Sequence, residues 1–225
     1  MAKKLFFGAR VPHTDVIDPN KLMPHISSVL FKVFATASLI MAVFAPWGDF
    51  YNQFINSVKD LSSFATLFSF LILLIGRKNL GRWHFPTLMV FAVSFGVFSC
   101  LVIGPPVLAF TVPPAIAFGI ISLCNFFRSR PMPFKICLII MLLTAPAVFG
   151  VMWYLFDNLF FPVVVGLEMF LFMLMPTVVF RFAADRKSSG KLTEDVHFIT
   201  AALVIGHAGL SNLSVIIGVL LCFFA

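Results

Sequence analysis

Charge is what this chain has least of. Only 11% of its 225 residues are Asp, Glu, Lys or Arg, against about 25% in an ordinary soluble domain. Nine acidic residues cannot coat a water-facing surface or build a nest of paired carboxylates. Cysteine is also scarce. Cys100, Cys124, Cys137 and Cys222 stand in four separate apolar runs with no C-x-x-C pair, so they read as small hydrophobes rather than as a disulfide or metal framework. There is no H-E-x-x-H and no cysteine–histidine cluster at ligand spacing, and no glycine-rich loop of the kind that cradles phosphate. No metal and no cofactor is expected. A haem-binding subunit needs paired histidines at matching depth. Here His13, His25 and His84 fall in connecting segments, His197 opens the last apolar run, and only His207 lies deep, so the other four are expected to form no site. A cleavable signal peptide is not expected either: Lys3 and Lys4 precede only the short patch Leu5 to Ala9, which Gly8 interrupts and Arg10 and Pro12 follow.

What the chain does have is apolar length. Sixty per cent of its residues are hydrophobic and thirty are Phe, and the apolar stretches approach the roughly 17–25 residues that a bilayer-spanning helix needs. The expected helices run from about Val29 to Pro46, Leu61 to Gly76, Phe85 to Ile103, Val107 to Phe127, Phe134 to Leu155, Leu159 to Phe180 and Val196 to Ala225. Ser27 or Ser28 is the expected cap of the first. The fold class is therefore all-α, a polytopic bundle of about seven transmembrane helices over residues 28–225, preceded by a cytoplasmic arm over 1–27 that Pro12, Pro19 and Pro24 interrupt.

The few positive charges orient this bundle. Of the sixteen Lys and Arg residues, all but Lys59 fall in the N-terminal segment, at the start of the first run or in every second connection. Cytoplasmic loops keep the Lys/Arg excess. The N-terminus is expected in the cytoplasm, the C-terminus outside, and the location is expected to be a bacterial inner membrane. The formal charge of +7 is then topogenic. It suits anionic headgroups at the cytoplasmic loops, with protein partners at the N-terminal arm and the 181–195 loop, and no nucleic acid.

The last run is too long for one upright crossing, and its middle reads Gly206-His207-Ala208-Gly209-Leu210-Ser211-Asn212. A long tilted helix is favoured over two half-helices, because glycine is a common packing residue in membrane helices.

Few residues could carry chemistry. Glu168 is the one acidic residue deep inside an apolar run, where a charge costs at least roughly 2.5–3.5 kcal/mol and polar groups turn to a bundle interior or cavity. His207 is expected at a similar depth on the next, antiparallel helix, so the two can share an interior site, with Ser211 and Asn212 one turn further on. Gly209-Leu210-Ser211 resembles the G-x-S element of intramembrane serine proteases only in part. Asn212 follows in place of Gly, and His207 shares the serine's helix instead of meeting it from another. Pro113-Pro114 should disturb the fourth helix, as a static kink or as a gate hinge. Enzymatic activity is not expected. The composite expectation is a membrane transporter or channel for a small solute or ion, with substrate- or ion-binding groups Glu168, His207, Ser211 and Asn212 between helices six and seven. The alternative is a non-catalytic structural or assembly subunit of a larger membrane complex.

Overall fold

The structure, a computed structural model, describes residues 18–47, 53–76, 80–103, 108–155, 160–184 and 192–224, with the backbone alone along stretches such as 212–224. Among these residues are seven α-helices and no strand: α1 (Pro19–Phe44), α2 (Gln53–Gly76), α3 (His84–Ile103), α4 (Leu108–Phe127), α5 (Phe134–Leu155), α6 (Phe160–Ala184) and α7 (Leu192–Phe224). An apolar run becomes a helix because only there are all backbone polar groups satisfied within the segment. Five helices, α1 to α4 and α6, are long and apolar enough to cross a membrane among the described residues, whereas the apolar part of α5, Phe134–Gly150, is shorter. The architecture is compatible with a multi-pass membrane protein.

Three features depart from expectation or go beyond it. The first helix begins at Pro19 and not near Val29. Asp18 caps it, its carboxylate accepting from the Asn20 N–H at 3.0 Å, and Pro19 occupies the first turn, where its missing N–H is no loss. Ser27 is no cap: it lies inside α1, and its hydroxyl donates to the Pro24 carbonyl at 3.1 Å. Residues 1–17 of the expected arm, and most of the 181–195 loop, lie outside the described residues. Helix α4 is continuous from Leu108 to Phe127 with Pro113 and Pro114 buried inside it, so the pair does not end the helix. Helix α7 runs unbroken for 33 residues, about 50 Å at 1.5 Å per residue. That exceeds a hydrocarbon core of roughly 30 Å, so one long helix replaces the broken alternative.

Helix α1 is the centre of the bundle, packing most extensively on α4, then on α3 and α7, with a smaller contact to α5. Its approach to α3 is close: a Cβ on Gly96 would lie 3.0 Å from the Ala37 carbonyl oxygen, so a larger residue there would require the two backbones to move apart. The remaining strong pairs are α2 with α3, α5 with α6, and α6 with α7. At the end carrying the basic connections, Asn125 stitches α4 to α5 by accepting from the Met132 N–H at 2.7 Å. There too, Asn20 of α1 accepts from the Phe134 N–H at 2.8 Å. Helix α2 packs mainly on α3 and leaves Leu61, Phe64, Phe68 and Ile75 exposed. Its hydroxyls close onto its own turns, Ser62 onto Lys59, Thr66 onto Ser62 and Ser69 onto Ala65, which keeps their polar groups satisfied beside an apolar face.

A candidate polar site between α6 and α7

That back-bonding is the usual fate of hydroxyls here, so the side chains that reach across helices stand out. Glu168 is one of them. It lies on α6 at 2% exposure, between fully buried Val165, Met169 and Phe172. The Ser211 hydroxyl of α7 donates to its Oε1 at 2.7 Å. The same Ser211 oxygen lies 3.0 Å from the His207 carbonyl one turn back.

Proton counting makes this triangle informative. A serine hydroxyl has one proton, yet two acceptors lie within reach. With Glu168 ionised, carboxylate and carbonyl compete for that proton. With Glu168 protonated at Oε1, the carboxyl donates to Ser211 and the serine proton is released to the His207 carbonyl, so both contacts are full hydrogen bonds. Turning one hydroxyl therefore adapts the hydrogen bonds of the site to either protonation state.

The His207 side chain turns away from this triangle. Its ring is 2% exposed and lies edge-on to Phe34 of α1 at 4.8 Å between centroids and 4.5 Å from Phe172 of α6. Phe118 of α4 stacks on Phe34 at 6.1 Å and meets Phe172 at 6.3 Å. One aromatic cluster thus joins α1, α4 and α6 around an imidazole of α7. Neither ring nitrogen has a hydrogen-bond partner among the described residues. The ring borders a cavity of about 10 Å³ between α1, α3, α4 and α7, lined also by Phe34, Ala37, Phe95 and Thr111.

The structure therefore brings Glu168 and Ser211 together and places the His207 backbone in the same triangle, while the imidazole makes no hydrogen bond to Glu168. Asn212 belongs to α7, but its side chain lies outside the described residues. Pro113 and Pro114 lie two and three residues beyond Thr111 of the cavity wall. Among the described residues no group of three or more His, Cys, Asp and Glu side chains is placed to hold a metal.

One cluster was missed. Of the histidines expected to form no site, His84 and His197 stack their rings at 4.2 Å and 21°. His84 is 1% exposed, and its Nε2 lies 3.0 Å from Thr200 Oγ1. The one sequence signal was that His197 and Thr200, one turn apart, share a face of α7. Nothing in the sequence said that the start of α3 would meet that face. Comparison with protein-family models, with curated proteins and with solved structures found no match to this chain.

Proposed function

We propose that this protein is an integral membrane transporter or channel for a small ion, with Glu168 as the group that takes up and releases a proton or cation and Ser211 as its switchable partner. The observation that carries the reading is the buried carboxyl of α6 hydrogen-bonded to a hydroxyl of α7. An ionisable residue in a membrane interior is costly and most often serves transport. The cavity beside His207, one turn along α7 from Ser211, has the volume of one water and no organic solute, which favours an ion or proton over a larger cargo. In this reading all seven helices span the membrane, with the N-terminus and basic connections in the cytoplasm and the C-terminus outside, in a bacterial inner membrane. His207 and Asn212 belong to the same polar layer. Anionic headgroups, and any protein partner, meet the basic arm and the 181–195 loop.

The second reading is a structural or assembly subunit, in which the Glu168–Ser211 bond only fixes the register of α6 against α7. Liposomes reconstituted with the purified protein and holding a pH-sensitive dye and a potassium gradient decide between them. Transport predicts voltage-driven proton or monovalent-cation flux above that of empty liposomes, reduced at least about tenfold by Glu168→Gln, because the amide keeps the size but carries no proton. The packing reading predicts no such flux, wild-type folding of the Gln variant and impaired folding of Glu168→Leu.

A further inference from the structure

The cavity beside His207 has walls from four helices, none of them α6. Val33, Phe34 and Ala37 come from α1, Phe91, Ala92 and Phe95 from α3, Thr111 from α4, and Val204, His207 and Ala208 from α7. Such a lining would leave an apolar void dry. Two polar groups make this one different. The imidazole is 2% exposed, and neither of its nitrogens is bonded among the described residues. A buried unpaired donor or acceptor costs about 1–3 kcal/mol, and a neutral imidazole carries one of each. The other group is Thr111, 1% exposed. Its oxygen accepts from the Ser38 hydroxyl of α1 at 3.0 Å and points its own proton at the Met41 sulfur at 3.3 Å. Sulfur is a weak acceptor, so that proton is available to a better one, and the oxygen retains a lone pair.

We infer that this cavity is a binding site for a single water molecule, which bridges the His207 ring to Thr111 Oγ1. The volume of about 10 Å³ matches the lower bound of roughly 10–15 Å³ that one water needs by the same measure. The partners also match. Water donates to the unprotonated ring nitrogen and either accepts from Thr111 or donates to it, according to where the threonine proton points. The bridge extends the Ser38–Thr111 pair of α1 and α4 to α7, where one helical turn separates His207 from Ser211 and Glu168. Polar groups of α1, α4, α7 and α6 then form one layer, in which one turn of α7 separates the imidazole from the Glu168–Ser211 pair. Use of that layer for protons rests on the function proposed above; the water site itself does not.

Water-contact NMR on the full-length protein in lipid tests the site, with labelled Thr methyls and His rings read for transfer from water. Transfer is expected to the Thr111 methyl and to the His207 ring, and Thr111→Val should cut the His207 signal at least about fivefold while the fold is retained. Absence of transfer in the wild type would falsify the site, and transfer to His207 that Thr111→Val leaves unchanged would refute the bridge. Should Thr111→Val not fold, Thr111→Ser serves instead: it keeps the hydroxyl and must retain the His207 signal. Glu168→Gln is expected to leave the transfer unchanged whatever it does to ion flux, so loss of the transport reading and loss of the water site are separate results.

Discussion

Two glycines show how the atom facing a residue decides what can replace it. A Cβ on Gly206 would clash with Met175 Cε, whereas on Gly96 it would lie 3.0 Å from the Ala37 carbonyl oxygen. Distance alone ranks Gly206 as the tighter site. The thioether is the free end of a flexible side chain, however, while the carbonyl belongs to the backbone of the central helix. Gly206→Ala is therefore expected to be tolerated, with part of the clash offset by the roughly 1 kcal/mol that alanine gains over glycine within a helix. Gly96→Ala should push α3 from α1 and lower the melting temperature in detergent clearly more. The reverse order would mean that α1 and α3 can slide. At the His84 cluster, the Thr200 hydroxyl also lies 2.8 Å from the Val196 carbonyl. When it donates there, His84 Nε2–H is the donor to Thr200. Thr200→Val keeps the shape and strips His84 of that partner, an expected loss of about 1–3 kcal/mol, and Thr200→Ser should restore most of it. An unchanged melting temperature for Thr200→Val would show the contact to be energetically silent.

Element boundaries followed local chemistry where a run had one strong signal and failed where two competed. Helix α5 spans Phe134–Leu155 as expected, because Pro133 precedes it and nothing within competes as a start. Helix α1 begins earlier than expected because an Asp18–Pro19 start outranks a serine nine residues further on, and the helix carries Pro24 inside it. Helix α4 tolerates two prolines in the same way. Each lacks the N–H that would bond one turn back. If that local weakness is a hinge, Pro113→Ala with Pro114→Ala should stiffen α4 and slow flux in the liposome assay by several-fold at unchanged folding. Wild-type flux in the double variant removes the hinge and leaves the prolines as packing.

For the whole molecule, sidedness is the property that the proposed function most depends on. Reporter fusions after Arg82, Arg130 and Lys187 should all read cytoplasmic, and a fusion after Ala225 should read external, since the Lys/Arg excess marks every second connection. A cytoplasmic reading at Ala225 would remove the odd number of crossings. The great length of α7 makes this the informative position, because a helix of about 50 Å either tilts through the bilayer or stands well out of it.

The sequence by itself determined that the chain is helical, roughly where each helix lies, and that Glu168 and His207 stand inside apolar runs. Those properties are local: an apolar run satisfies its own backbone, and a charge inside one is visible as an interruption. Only the tertiary structure decided that Ser211, rather than the imidazole, meets Glu168, that His207 sits among Phe34, Phe118 and Phe172, and that His84 stacks on His197. Helices that are apolar all round give no sign of which face turns inward. When the surroundings are as apolar as the side chains, close packing and a few cross-helix hydrogen bonds choose the rotation of each helix, and both exist only once the helices have met.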